Sequence, residues 1–198
     1  MLNWKFLLFV GLISYGAYQS YSTRAVTHGN GVIAGVQPTQ DAIQPSQTEF
    51  KFKGYSITPL QSFQIEARVL STKNYSLDRE ADLSPIDFAL GWCAMSDEAV
   101  LSKIDISQSN RFYYWHVDEF PIPRHDIETQ SANMHMIPAN EQIEKTLKSV
   151  RPGQIVKLNG YLIEAKANDG WHWKSSLTRE DTGNGACELV FVKAVSIS

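Results

Sequence analysis

Cysteine is almost absent: the 198 residues hold two, Cys93 and Cys187. An oxidising compartment would permit one bridge between them, and two separate buried thiols are the plainer alternative. A disulfide scaffold is excluded, and no CxxC or Cys/His spacing suggests zinc. Basic excess is also missing. Eighteen Lys and Arg stand against 21 Asp and Glu, for a formal net charge of −3, and no basic cluster is longer than a pair. That balance argues against nucleic acid as a partner, since phosphate repulsion has to be offset. The five histidines, 28, 116, 125, 135 and 172, share no HxH or HxxxH spacing, so no metal site is expected. Thr182-Gly183-Asn184-Gly185 lacks the lysine and the following helix of a phosphate loop and reads as a glycine turn. Heptads, internal repeats and βαβ alternation are absent. No cofactor is implied.

What is present begins with an uncharged apolar run, Phe6 to Tyr18, behind Lys5 and flanked by Trp4 and Tyr21. Its length approaches the roughly 20 residues that cross a hydrocarbon core, and aromatic flanks suit membrane interfaces. Ser20-Tyr21-Ser22 is a passable cleavage signal. Residues 1–21 therefore read as a transmembrane anchor in preference to a cleaved signal. Lys5 ahead of the run orients the rest of the chain toward an extracytoplasmic space. Residues 22–48, rich in Gly, Pro, Ser, Thr and Gln, form a linker or extended strap, with a short edge strand expected at Val32–Val36.

Residues 49–198 read as one β-rich domain with minor α content. Phe50, Phe52 and Tyr55 alternate with polar residues, as do Phe63, Ile65, Ala67 and Val69, which predicts two strands joined by a turn at Thr58–Gln61. Asp97 caps a short helix through about Lys103, and Asn140 caps another carrying Ile143, Leu147 and Val150. The aromatic stretch RFYYWHV (111–117) predicts a central strand covered on both faces. A long strand from Ile155 has a bulge near Asn159-Gly160, and Asn168-Asp169-Gly170 turns it back through Trp171 and Trp173. The expected architecture is a small antiparallel β-barrel or curled sheet with an OB-like C-terminal part, behind an N-terminal hydrophobic helix.

Four blocks, LGWCAMSD (90–97), SQSNRFYYW (107–115), SANMHMIPA (131–139) and DGWHWKSSLTREDTGNGACE (169–188), resemble a family of uncharacterised bacterial membrane-anchored envelope proteins. The resemblance covers nearly the whole chain and implies no activity. It implies a bacterial protein anchored in the inner membrane by a single pass, with its domain in the periplasm or a comparable space. Glycine is the residue that pattern implies at position 93, which argues against a Cys93–Cys187 bridge.

Two functional expectations follow. In the first, the domain binds a protein or cell-wall partner through Trp171, His172, Trp173, Ser175, Ser176, Arg179 and Asp181, the indoles sharing one strand face and His172 the other. In the second, Cys187 is the nucleophile of a transferase or hydrolase, with His135 as base and Arg179 stabilising developing charge. The second lacks any local motif. Cys187 also reads as the first core residue of a strand, and alternating charges such as Arg179-Glu180-Asp181 are commonly local ion pairs. The stretch from 169 to 192 reads most economically as the corner of a β-barrel.

Overall fold

The protein is described from a computed structural model covering residues 4–22, 24–44, 46–180 and 186–198. Helix α1 (Trp4–Ser22) leads the chain. Among the described residues no helix is long and apolar enough to cross a membrane. The segment from 24 onward lies along the domain: Val26 N–H donates to Pro152 O, Gly31 N–H to Asp97 Oδ1 and Ala34 N–H to Ser96 Oγ. Within the expected strand at Val32–Val36, Ser96 Oγ takes the Ile33 and Ala34 N–H groups and Cys93 N–H donates to Ala34 O. The edge strand, β1, forms instead at Thr39–Ala42, against Gln61–Gln64.

Strand β2 (Phe50–Phe52) turns through Lys53 and Gly54, both at positive φ, into β3 (Tyr55–Asn74). The turn expected at Thr58–Gln61 does not exist, because β3 runs through it as one strand. Proline has no N–H for the ladder, and just beyond Pro59 the register against its neighbour slips by one residue at Leu60. A one-residue slip exchanges faces. Tyr55 and Ile57 accordingly pack in one apolar cluster, and Phe63, Ile65, Ala67 and Val69 in another.

Next come α2 (Arg79–Leu83), β4 (Ile86–Gly91), a 3-10 turn (Cys93–Ser96) and α3 (Glu98–Leu101), whose cap Asp97 accepts from Ala99 N–H. Among the described residues, strands β5 (Asp105–Ser109) and β6 (Phe112–His116) pair only with each other, as a separate two-stranded sheet. The aromatic strand is therefore not central, and Tyr114 is 49% exposed. Its aromatic content reflects a cleft wall and a small satellite core with Met95, Ile104 and Ile127, against which Trp115 packs.

The chain continues through α4 (Arg124–Thr129), β7 (Ser131–Pro138), α5 (Glu141–Ser149), β8 (Ile155–Lys166), β9 (His172–Lys174) and β10 (Glu188–Ile197). Asn140 caps α5, its Oδ1 accepting from Ile143 N–H at 3.0 Å. The fold is mainly β, a curled sheet in which β4, β7, β10 and β8 follow one another. All these contacts are antiparallel except β7–β10, and β3 pairs with both β4 and β8. The bulge expected at Asn159-Gly160 sits on the strand opposite, between Val192 and Ala194. Gly160 is needed for close approach, since a Cβ there would lie 1.9 Å from Phe191 O.

The concave side of the sheet encloses the larger core, including Phe63, Phe88, Met134 and Val190, with Ile143 and Leu147 of α5 packed on it. Each such side chain contributes roughly 1.5–3 kcal/mol on burial. The opposite side carries the second cluster, where Phe50 and Phe52 meet Phe191 edge-on at 5.1 and 5.2 Å.

Candidate functional site

On the outer side of the sheet, β4 and β7 bring Asp87 opposite His135. Asp87 is fully buried and His135 is 3% exposed. Nδ1 of His135 lies 3.0 Å from Asp87 Oδ1, at an angle that makes no hydrogen bond. The imidazole also lies against Trp173, centroids 4.7 Å apart. The charge opposing Asp87 comes from the tip of the β5–β6 hairpin. Asn110 and Arg111 form its two-residue turn, with φ of 52° and 68°, a conformation that costs a side chain such as arginine about 1 kcal/mol. Arg111 donates to Asp87 at 3.1 Å, Ser84 O at 2.9 Å and Asp78 at 2.7 Å, and its guanidinium lies 3.7 Å over the Tyr75 ring.

The same tip holds the neighbouring polar groups. Asn133 donates to Arg111 O at 3.0 Å and accepts from Gln108 at 2.7 Å. Cys187 Sγ is 3.8 Å from Asn133 Nδ2 and 3.9 Å from Arg111 O. Burial is the largest influence on Tyr75 and pushes its hydroxyl above the usual range. For Asp78 burial acts upward most strongly, but the Arg111 hydrogen bond and charge outweigh it and hold the carboxyl below its ordinary value.

Beside this network opens a cleft of about 400 Å³. One wall is β6, Phe112 to Trp115; the floor is the start of β7, Ser131 to Asn133; the far side is Arg179 with Ala186 to Glu188. Tyr113 shares a hydrogen bond with Ser131 Oγ at 3.1 Å, and burial pushes its hydroxyl up to about 12. At one rim Arg124 donates to Glu128 at 2.8 Å. At the other, Arg179 lies 3.9 Å from buried Glu188, hydrogen-bonds Gln40 of β1 and covers the Phe63 and Trp92 rings at 5.6 and 5.9 Å.

The structure thus brings Cys187 and Arg179 to one cleft, whereas His135 is outside its lining. Trp171 and Trp173 are half-buried on the outer cluster, Trp171 against Tyr55 at 5.4 Å and under Arg79 at 4.8 Å, while His172 is exposed. Ser175 and Ser176 are buried and tie their loop down. Ser175 Oγ accepts from Leu189 N–H at 3.0 Å, and Ser176 N–H donates to Cys187 O at 3.1 Å. Asp181 and the turn at 182–185 lie outside the described residues. No disulfide joins Cys93 and Cys187. Sequence reasoning missed Asp87, Arg111, Asn133 and Tyr75. Asn110-Arg111 between alternating stretches was a legible turn signal, but nothing in it discloses where the guanidinium goes.

Neither a family model, nor a curated protein, nor a solved structure matches this chain.

Proposed function

We propose that this protein is a membrane-tethered binding domain of the bacterial envelope, held on the extracytoplasmic side, with a protein or cell-wall partner and no chemistry of its own. The cleft carries the reading: an aromatic wall, a polar floor and ion-paired rims are the make-up of a recognition site. Three of the four blocks that resemble the envelope family, 107–115, 131–139 and 169–188, contribute to that cleft. The tether is α1, whose Trp4, Phe9 and Leu12 are all more than half exposed. An OB-like description is supported by the strand sequence β3, β4, β7, β8, β10, with a helix between β7 and β8 and a parallel β7–β10 contact. Fold alone does not name a ligand. The equal charges at the cleft and the acidic chain favour a peptide or glycan partner over nucleic acid.

The test is a photo-crosslinking residue installed at position 114 in living cells. Adducts with envelope material are expected, and an unreacted protein of unchanged fold would sink the proposal.

A cysteine-dependent transferase or hydrolase is the second reading. It is favoured by Cys187 and Arg179 sharing the cleft and by the close Asp87–His135 contact on the same side of the sheet. Cys187→Ala separates the two. The binding reading expects crosslinking to persist with a stability loss of about 1 kcal/mol, and the enzymatic reading requires function to vanish.

A further inference from the structure

We infer that the corner where α5 runs into β8 docks on an anionic phospholipid headgroup layer, through Arg24, Lys145, Lys148 and Arg151. The inference rests on the membrane tether proposed above and goes beyond it: the domain itself lies against the lipid and does not swing from a linker.

The path of the chain decides first. Helix α1 ends at Ser22, and Val26 N–H already donates to Pro152 O at 2.8 Å. His28 Nε2 lies 2.7 Å from Gly153 O, and a Cβ on Gly153 would collide with Val26 O. The four residues from Ser22 to Val26 span at most roughly 14 Å when fully extended. As a free linker, residues 22–48 could carry the domain roughly 90 Å from the end of α1. Docked as it is, the strap holds Pro152 and Gly153 within the shorter reach. With α1 in lipid, the end of α5 is therefore kept at the headgroups.

Charge decides second. The whole chain carries −3, yet residues 24–28 and 144–154 hold four cations, Arg24, Lys145, Lys148 and Arg151, against one carboxylate, Glu144. Lys148 pairs with Glu144 at 2.5 Å, whereas Arg24, Lys145 and Arg151 form no ion pair among the described residues. Arg24, Lys145 and Lys148 are exposed and Arg151 is half-buried. The two lysines sit about a turn apart, on the side of α5 opposite buried Ile143 and Leu147. The acids that meet the strap are engaged elsewhere: Asp97 accepts from Gly31 and Ala99 N–H, and Glu98 from Arg68 and His28 N–H.

The macrodipole of α5 accounts for a lysine in its last turn. It does not account for Arg151 and Arg24, which stand outside the helix. Cations gathered on one corner of an acidic protein repel one another, and an anionic surface offsets that repulsion. The attraction falls off within a Debye length, about 10 Å at 0.1 M salt, so it acts where the chain keeps the cations close.

The far end of the domain supplies internal controls. Strand β8 leaves the corner at Ile155 and ends at Lys166, roughly 35 Å away along the strand. There Lys166 and Lys51 flank Ser56 of β3 from either side.

The experiment labels the lysines of the full chain on preformed vesicles with a membrane-impermeant acylating reagent, read by mass spectrometry. One set of vesicles is phosphatidylcholine alone, and the other contains a third of phosphatidylglycerol. Flotation with either set reports the tether separately from the docking. On the anionic vesicles, labelling of Lys145 and Lys148 should slow about threefold or more relative to phosphatidylcholine, with Lys51 and Lys166 unchanged. Salt at about 0.5 M should restore the faster rate by screening. Arg24→Gln with Arg151→Gln keeps both reporter lysines and should undo the protection while leaving thermal melting unchanged. Equal labelling of Lys145 and Lys148 on the two sets, or equal slowing of Lys51 and Lys166, overturns the docking and leaves a floating chain tethered. Protection that survives both the double variant and high salt overturns it as well. If the chain floats with neither set, the tether reading falls and the docking falls with it.

Discussion

Arg111 joins more of the molecule than its place in a hairpin turn suggests. Its side chain, 14% exposed, is the cation opposing fully buried Asp87, and its backbone carbonyl takes the Asn133 amide. Removing one partner of a buried pair leaves an uncompensated charge, so Arg111→Ala is expected to cost ~3–5 kcal/mol. Asp78, 40% exposed, is the control, and Asp78→Asn is expected to cost less than ~1 kcal/mol. Arg111→Gly loses the same guanidinium but relieves the left-handed backbone, so it should be milder than the alanine variant by about 1 kcal/mol. Urea denaturation checks all three. Equal losses for Arg111→Ala and Asp78→Asn would remove Arg111 from its role as counter-charge.

The strap is the element with a definite pH response. Asp97 accepts from Gly31 N–H and Glu98 from His28 N–H, while Arg68 also holds Glu98. The Gly31 hydrogen bond lowers the Asp97 pKa, and the Arg68 hydrogen bond, followed by that from His28, outweighs burial to lower that of Glu98. A depressed folded pKa gives stability that is present above the unfolded value and lost as pH falls through the folded one. The reference values are 3.8 and 4.5. Docking should therefore hold at neutral pH and weaken as acidity passes through and below that range. Hydrogen exchange at Gly31 and Ala34 should accelerate before that of the central strands; simultaneous loss would show that the strap has no separate stability. Gly153 gives a pH-independent version. Its φ is +88°, and a Cβ would lie 1.8 Å from Val26 O. Gly153→Ala should release protection at Val26 at neutral pH.

For the whole molecule, the contrast is between a domain that buries its apolar residues in three clusters and a helix, α1, that leaves its own exposed. A lipid surface is the proposed cover. The full chain should float with phospholipid vesicles in a density gradient. Leu8→Asp with Leu12→Asp should abolish flotation, because two carboxylates on the exposed apolar side chains of α1 would have to be desolvated against lipid. Flotation unaffected by both charges would remove α1 as the tether.

Local chemistry was readable from the residues alone. The Asn140 cap of α5, the Asp97 cap of α3 and the turn at Asn168–Gly170 depend on groups a few positions apart, and each lies where its residues predict. The β-rich character follows similarly, from alternation within single strands. Pairing between distant strands was not readable. Pro59 looked like a turn residue because turns and bulges use the same residue; only the register against β8 makes it a bulge that exchanges faces. The aromatic β6 looked central because aromatic side chains signal burial without naming what covers them. Asp87, Arg111, the Asn133–His135 stretch of β7 and Cys187 lie far apart in the chain and share no spacing rule. They meet because β4, β7 and β10 are neighbours and a hairpin folds back over them. The residues by themselves determined the elements, through interactions over a few positions; the tertiary structure decided the cleft, because long-range burial selects which elements meet.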